Sequence, residues 1–195
     1  DTIYLDADSH SSIYDGCTLS GAKLVRFRHN DASDLDKRLA RSEDGGGRLV
    51  VLEGIYSMLG DRAPLADFVE VKKKHGFQLL VDEAHSFGVL GPNGRGLADE
   101  AGLEDDVDFV VGTFSKSIGA IGGFGAGNHP LFNMLRYASR PYMFTASPSP
   151  ATVGTSLAAI RTLKAEPERR ERLAVNSARL FHGFKALGLA LGCDS

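Results

Sequence analysis

The chain has too few cysteines for a disulfide framework. There are two, Cys17 and Cys193, far apart and in no metal-ligand or redox spacing, which predicts two reduced thiols in a cytoplasmic protein and no metal site. It has no excess of either charge sign. The 22 Lys and Arg stand against 25 Asp and Glu, for a net charge of −3, so nothing marks a polyanion as a partner and nucleic acid is not expected to bind. No apolar run nears the roughly 20 residues that span a bilayer, so no transmembrane segment is expected. There is no internal repeat and no low-complexity tract. What remains is ordinary for a globular domain: 43% hydrophobic and 24% charged over 195 residues, enough for one core that buries roughly 70% of the unfolded surface.

Strand-like and helix-like patterns alternate along the chain. Strands are predicted at Thr2–Leu5, Lys23–Phe27, Arg48–Glu53, Gln78–Val81, Phe109–Gly112 and Gly122–Ala126. Between them, Ser33–Leu39 opens on a capping serine and puts Leu35 and Leu39 on one face. Leu65–His75 aligns Leu65, Phe68, Val69 and Val71, and Gly76 ends it. Asp44-Gly45-Gly46-Gly47 reads as a flexible surface turn. Helices are predicted at Pro150–Lys164 and Glu168–Leu187, with Pro167 near the start of the second, where a missing N–H costs nothing. The β–α alternation predicts an α/β fold: a three-layer α/β/α sandwich around a mainly parallel sheet. A strand two residues from the start, and a strand-like Leu187–Gly192 near the end, predict a fragment of a longer protein.

Two apolar segments end in reactive side chains. Leu79-Leu80-Val81 runs into Asp82-Glu83-Ala84-His85-Ser86, and Phe109-Val110-Val111 runs into Gly112-Thr113-Phe114-Ser115-Lys116-Ser117. Ligands of open α/β sheets bind at the carboxyl ends of the strands. A carboxylate able to pair with a pyridinium nitrogen, together with a lysine able to form a Schiff base, is what pyridoxal phosphate (PLP) requires of a protein. From position alone, Asp82 is explained as well by an N-cap or a salt bridge. A lysine such as Lys116 is most often a surface residue, but its small hydroxyl-bearing neighbours and the glycines at 119, 122 and 123 favour a ligand site. Asp82-Glu83-Ala84-His85 also spells a helicase-like Walker B motif. That reading needs an upstream phosphate loop, and none precedes it.

These stretches resemble the α-oxoamine synthase family of fold-type-I PLP enzymes. The resemblance rests on Asp82–Gly88, Gly91–Gly96, Gly112–Ser117, Gly122–Phe124, Glu53–Asp61 and Arg140–Ser147, and covers essentially the whole chain. Ser115-Lys116-Ser117, where other members have Gly-Lys-Ala or Gly-Lys-Gly, points to the branch that uses L-serine and a long-chain acyl-CoA.

The resemblance implies a role for each matching position. Lys116 would form the Schiff base and move protons, Asp82 would pair with the pyridine nitrogen, and His85 would hydrogen-bond the phenolic oxygen. His10 would stack on the ring and orient the substrate carboxylate, a role that rests mostly on the resemblance. Ser57 would lie near the phenolic oxygen, and Thr113 and Ser115 would hold the phosphate. Thr145 and Ala146 would reach the phosphate of a neighbouring subunit's cofactor, implying a homodimer with shared active sites. The implied reaction is a decarboxylative condensation of L-serine with a long-chain acyl-CoA that gives a 3-oxo amine (3-ketosphinganine), CoA and CO2.

The family's glycine-rich segment upstream of His10 and its carboxylate-binding arginine downstream lie outside the chain. Residues 1–195 would thus be the central part of the PLP-binding large domain, its last residues leading toward the small domain, and alone it would lack activity. Ala146-Ser147-Pro148-Ser149-Pro150 departs from the family's usual Ser-Leu-Pro-Pro. Three alternatives remain. The first is a relative using glycine or alanine, of the 8-amino-7-oxononanoate synthase, 2-amino-3-ketobutyrate CoA ligase or 5-aminolevulinate synthase type. The second is a PLP aminotransferase or lyase, against which Arg95 in the Gly91–Gly96 turn speaks. The third is a silent scaffold subunit, whose mark would be loss of the lysine.

Overall fold

A computed structural model describes residues 1–42, 45–130 and 132–193. In chain order the elements are β1 (Thr2–Asp6), α1 (Ser11–Ser20), β2 (Lys23–Phe27), α2 (Ala32–Ala40), β3 (Arg48–Glu53), α3 (Leu65–His75), β4 (Gln78–Asp82), α4 (Leu97–Ala101), β5 (Phe109–Thr113), β6 (Gly123–Gly127), α5 (Leu135–Ala138), α6 (Arg140–Met143), α7 (Pro150–Ala165) and α8 (Glu168–Ala186). The strands form one sheet in the order β2-β1-β3-β4-β5-β6. The first five are parallel, and β6 returns antiparallel to β5. The expected mainly parallel α/β architecture is what the chain adopts.

Alternation along the strands divides the core between two faces. On one face Tyr4, Val50, Leu52, Leu79 and Val81 pack against Leu35 and Leu39 of α2 and Leu65, Phe68 and Val69 of α3. On the other, Ile3, Leu5 and Val51 pack against Cys17 of α1. The stripe read from Leu65–His75 is the one buried, and Gly76, at φ 64°, ends that helix in the left-handed conformation.

Several boundaries differ from expectation. The cap of α2 is Asp31, which accepts the Asp34 N–H at 2.8 Å, and the Ser33 hydroxyl donates to Asp31 instead of capping. α1 escaped the pattern reading because it buries only Cys17 and is rich in serine. α4, α5 and α6 are four or five residues long, too short to show a period. Leu187–Gly192 is not a strand: Leu187 closes α8 and a turn follows. Of the glycine-rich turn, Asp44 lies outside the described residues. Gly45–Gly47 is exposed, and Gly47 N–H donates to the Asp1 carboxylate at 2.8 Å.

The α2–α3 face carries the larger cluster, so its stability should depend on close packing there. Phe68 is fully buried, with its ring 5.6 Å from that of Phe27. Phe68→Ala is expected to cost about 3–5 kcal/mol in denaturant unfolding. A cost below about 1 kcal/mol would show that this face tolerates a cavity.

Candidate active site

Strand register places the site. Glu53, the last residue of β3, is the register partner of Asp82, the last residue of β4, and Asp82 in turn faces Val111 of β5. Two carboxylates therefore stand side by side where the parallel strands end. Asp82 accepts a hydrogen bond from Ala84 N–H at 2.9 Å and makes no ion pair among the described residues. Burial pushes its carboxyl up from the usual range, against that hydrogen bond and the positive fields of Lys116, His10 and His85. The bond to Ala84 N–H caps the turn that follows, as the N-cap explanation of Asp82 has it, while no salt bridge to Asp82 forms among the described residues. The group is a half-buried carboxylate facing a site and lacking a cation in contact.

The neighbouring Glu83 does the structural work of this corner. Its fully buried carboxylate accepts Leu97 N–H at 2.9 Å and Ala98 N–H at 3.1 Å, and also the Ser86 hydroxyl. Gly54 and Gly96 lie so close to it that a Cβ at either would collide with its oxygens, and Gly96 adopts φ 119°. The Asp82–His85 turn is thus pinned from below, which fixes the direction in which Asp82 and His85 point.

Lys116 sits in the turn between β5 and β6. Phe114 N–H donates to Gly122 O at 2.9 Å and Ala120 N–H to Phe114 O at 2.7 Å, closing that turn. The Ser117 hydroxyl donates to Phe87 O at 2.7 Å, and Ile118 is buried. The lysine Nζ is thereby brought into hydrogen-bond contact with His85 Nε2. Partial burial lowers the Lys116 ammonium from its ordinary value, with Asp82 and Glu53 pulling the other way. Burial also lowers His85, and the Lys116 charge adds to that effect. The Lys116 charge thus favours neutral His85, and burial favours the neutral amine of Lys116.

The remaining predicted residues divide. Thr113 and Ser115 meet through their hydroxyls at 2.8 Å, and Ser115 N–H donates to Thr113 Oγ1 at 3.2 Å. The Thr113 hydroxyl also donates to Gly122 O at 3.1 Å, so these groups are bonded to one another and to the turn that carries Lys116. His10 caps α1: its Nδ1 accepts Ser12 N–H at 3.3 Å, while its own backbone N–H donates to Glu53. Ser57 lies in the loop that follows β3, on the same side of the sheet as the strand ends, without a contact to Lys116. Thr145 and Ala146 are exposed in the segment between α6 and α7 and make no hydrogen bond to the Asp82–Lys116 cluster.

Sequence reasoning gave Glu53 and Glu83 no role. Glu53 carried the signal that singled out Asp82, an apolar strand (Leu49–Leu52) ending in a carboxylate. It is 3% exposed, and burial first, with the nearby Asp82 charge, raises its pKa to about 7.

The family model for aminotransferase class I and II matches residues 1–193, and the chain belongs to that family. It is 58% identical over 196 residues to the serine palmitoyltransferase of Sphingomonas paucimobilis, covering 99% of this chain and 47% of the relative. It is 44% identical to the 8-amino-7-oxononanoate synthase of Alkalilimnicola ehrlichii, over 98% of this chain and 49% of the relative. A high-resolution structure of SPT with a PLP internal aldimine superposes with a TM-score of 0.95 at 57% identity, over 100% of this chain and 49% of that one. The chain spans about half the length of the curated relatives it matches.

The buried Glu53 generates a pH-dependent expectation that needs no ligand. Its carboxyl moves from an ordinary 4.5 to about 7 on folding. Below about pH 4.5 both states hold the proton. Between there and about 7 only the unfolded chain ionises, so stability falls as pH rises. Relative to the parent, Glu53→Gln should leave thermal stability unchanged near pH 4 and raise it near pH 8 by roughly 1–3 kcal/mol. A variant that keeps the parent's full pH dependence would show that folding leaves the Glu53 carboxyl at its ordinary value.

Proposed function

We propose that this chain is the cofactor-binding part of a PLP-dependent C-acyltransferase of the serine palmitoyltransferase type, which condenses L-serine with a long-chain acyl-CoA and releases CoA and CO2. The observation that carries this reading is the meeting of Lys116 Nζ with His85 beside the unpaired carboxylate of Asp82. The PLP bound in a structure at 57% identity supports it. On this reading the chain is the central part of a large domain whose upstream glycine-rich segment and downstream small domain lie outside residues 1–195. It works in the cytoplasm, and alone it is inactive. No described helix is long and apolar enough to cross a membrane.

The residues fit the group. Asp82 is a carboxylate held without a cation, which a protonated pyridine nitrogen would supply. His85 and Ser57 would face the phenolic oxygen, and Thr113 and Ser115 would take the phosphate. His10, held by its backbone to Glu53 and by its ring to Ser12, would lie over the ring. When bound, PLP supplies an electron sink that stabilises negative charge at the α-carbon of an amino acid.

The side chains do the rest. Lys116, its ammonium form disfavoured by burial, would be the residue that holds the cofactor covalently and, as a free amine, the base that takes the α-proton of the amino acid. The ammonium so formed would be the acid that returns a proton to the same carbon. His85 holds Lys116 Nζ close to Asp82 while this occurs.

Two readouts test the reading in the full-length protein. Borohydride added to the PLP-loaded enzyme should fix the cofactor on Lys116, and CoA release from a long-chain acyl-CoA should require an amino acid, serine above glycine or alanine. Labelling of another lysine overturns the site assignment. Preference for alanine or glycine overturns the substrate assignment in favour of an 8-amino-7-oxononanoate synthase-like reaction, the activity named for the 44%-identical relative.

The proposal extends to assembly: a homodimer in which Thr145 and Ala146 serve the phosphate of the partner's site. Their exposure and lack of contact with their own Asp82–Lys116 cluster support it. Mixing two inactive full-length variants, Lys116→Ala and Thr145→Trp, should restore part of the activity, because one site of each mixed dimer carries neither lesion. No recovery despite subunit exchange would place Thr145 in its own subunit's site.

A further inference from the structure

A second cluster of titratable groups lies beside the candidate site and outside the roles given above. His29 follows β2, and its ring bridges two carboxylates. Nδ1 lies 2.8 Å from Asp6 Oδ1, and Nε2 lies 2.7 Å from Asp61 Oδ2. A neutral imidazole has one N–H and can donate to only one of them, whereas the imidazolium donates to both. The acids need that second donor. Asp6 is fully buried at the end of β1, and its carboxylate also accepts the backbone N–H groups of Asp8 and Asn30, at 2.9 and 2.8 Å, with the Tyr56 side chain beside it. Among the described residues Asp61 Oδ1 is buried without a partner, and Oδ2 accepts the Asn30 amide and meets His29, the one of the two that can carry a balancing charge. Tyr56 completes the enclosure, its ring edge-on to His29 with the centroids 4.5 Å apart.

The two carboxylates belong to different parts of the site. Asp6 opens the turn Ala7–Ser9 that delivers His10, and Ser9 N–H donates to Asp6 O at 3.2 Å. Asp61 closes the loop that carries Ser57: Tyr56 N–H donates to Asp61 O at 2.9 Å, and Ile55 bridges Arg62. Both segments leave the carboxyl ends of neighbouring parallel strands, β1 and β3, and β3 also carries Glu53 of the Glu53–Asp82 pair.

We propose that His29 is a positioning residue: as an imidazolium clamped between Asp6 and Asp61, it sets the spacing between the turn bearing His10 and the loop bearing Ser57, and so the width of the cofactor site. The inference rests on the reading that His10 and Ser57 face bound PLP. Among the described residues, the groups that set the charge of His29 are Asp6 and Asp61, and the titratable Tyr56 also packs against its ring. Although burial works against the charged form, the hydrogen bonds and charges of the two aspartates raise the pKa of His29 above the ordinary 6.5. The clamp is therefore intact below the ordinary histidine range and is lost as pH rises through the raised value.

The experiment uses full-length protein stripped of cofactor and labelled at histidine. The NMR titration of His29, assigned by loss of its signal in His29→Gln, should have a midpoint above the ordinary value, and Asp61→Asn should lower it. PLP affinity, followed by visible absorbance, should weaken as pH passes that midpoint. It should be roughly tenfold weaker in His29→Gln below the midpoint, the lower end of what partners one step removed from a site contribute, and should show no break there. In Asp61→Asn the break in affinity should move down with the imidazole midpoint. A break that stays put while the midpoint moves overturns the proposal, as does parental affinity in His29→Gln. Should His29→Gln fail to fold, the Asp61→Asn shift decides alone. A protein that takes up no PLP at any pH overturns the functional reading instead. The clamp is then decided by the imidazole titration and by amide exchange across residues 54–62, which must quicken in Asp61→Asn.

Discussion

The parallel register of β3, β4 and β5 is the constraint on which the site depends. Pairing Leu52 with Val81 and Glu53 with Asp82 ends both strands at the same level and sets two acids side by side at the edge of a buried sheet. A slip of one residue would turn every side chain of a strand to the other face. It would bury Glu53 or Asp82 among the leucines and valines of the α2–α3 core, where an unpaired carboxylate is strongly disfavoured. The hydrophobic pattern that builds the core therefore also specifies the position of the chemistry, without any contact devoted to that purpose.

Burial, more than charge, sets the electrostatics of this edge. For Glu53, Asp82, His85 and Lys116 alike, the largest effect is loss of water, and in each case it favours the uncharged form. The opposing pulls between Lys116 and the two acids are smaller. An arrangement in which acids and amine all lean toward neutrality can exchange protons at modest cost, whereas a tight Lys–Asp ion pair would lock them. Where the fold needs fixed charge it uses geometry of a different kind, the doubly hydrogen-bonded His29 between Asp6 and Asp61.

The fold was legible in the sequence because its strands are short apolar runs ended by polar residues, and α2 and α3 carry clear stripes. Leu35 and Leu39, and Leu65, Phe68 and Val69, are buried as their spacing indicated. What escaped had no period to read. α1 buries one cysteine, and α4 exists because the Glu83 carboxylate receives its first amides, a tertiary contact between residues 83 and 97 that no local pattern encodes. The Asp82, His85 and Lys116 grouping could be anticipated from two strand ends and is one cluster in the structure. The clamp at His29 could not, because it joins residues 6, 29 and 61, each unremarkable in its own neighbourhood. Thr145 and Ala146 were read from a motif alone, and the isolated chain gives them no partner to touch.

The closeness of Glu83 to Gly54 and Gly96 has a consequence for how this sequence can change. The carboxylate fills the space that a methyl group would need at both glycines, so the three positions are one volume shared among three codons. A side chain gained at 54 or 96 requires a shorter acid at 83 in the same step, and a shorter acid alone leaves the amides of Leu97 and Ala98 without their acceptor. A single substitution at any of the three therefore either crowds the Glu83 carboxylate or strips α4 of its acceptor, so the three residues are tied to one another by packing.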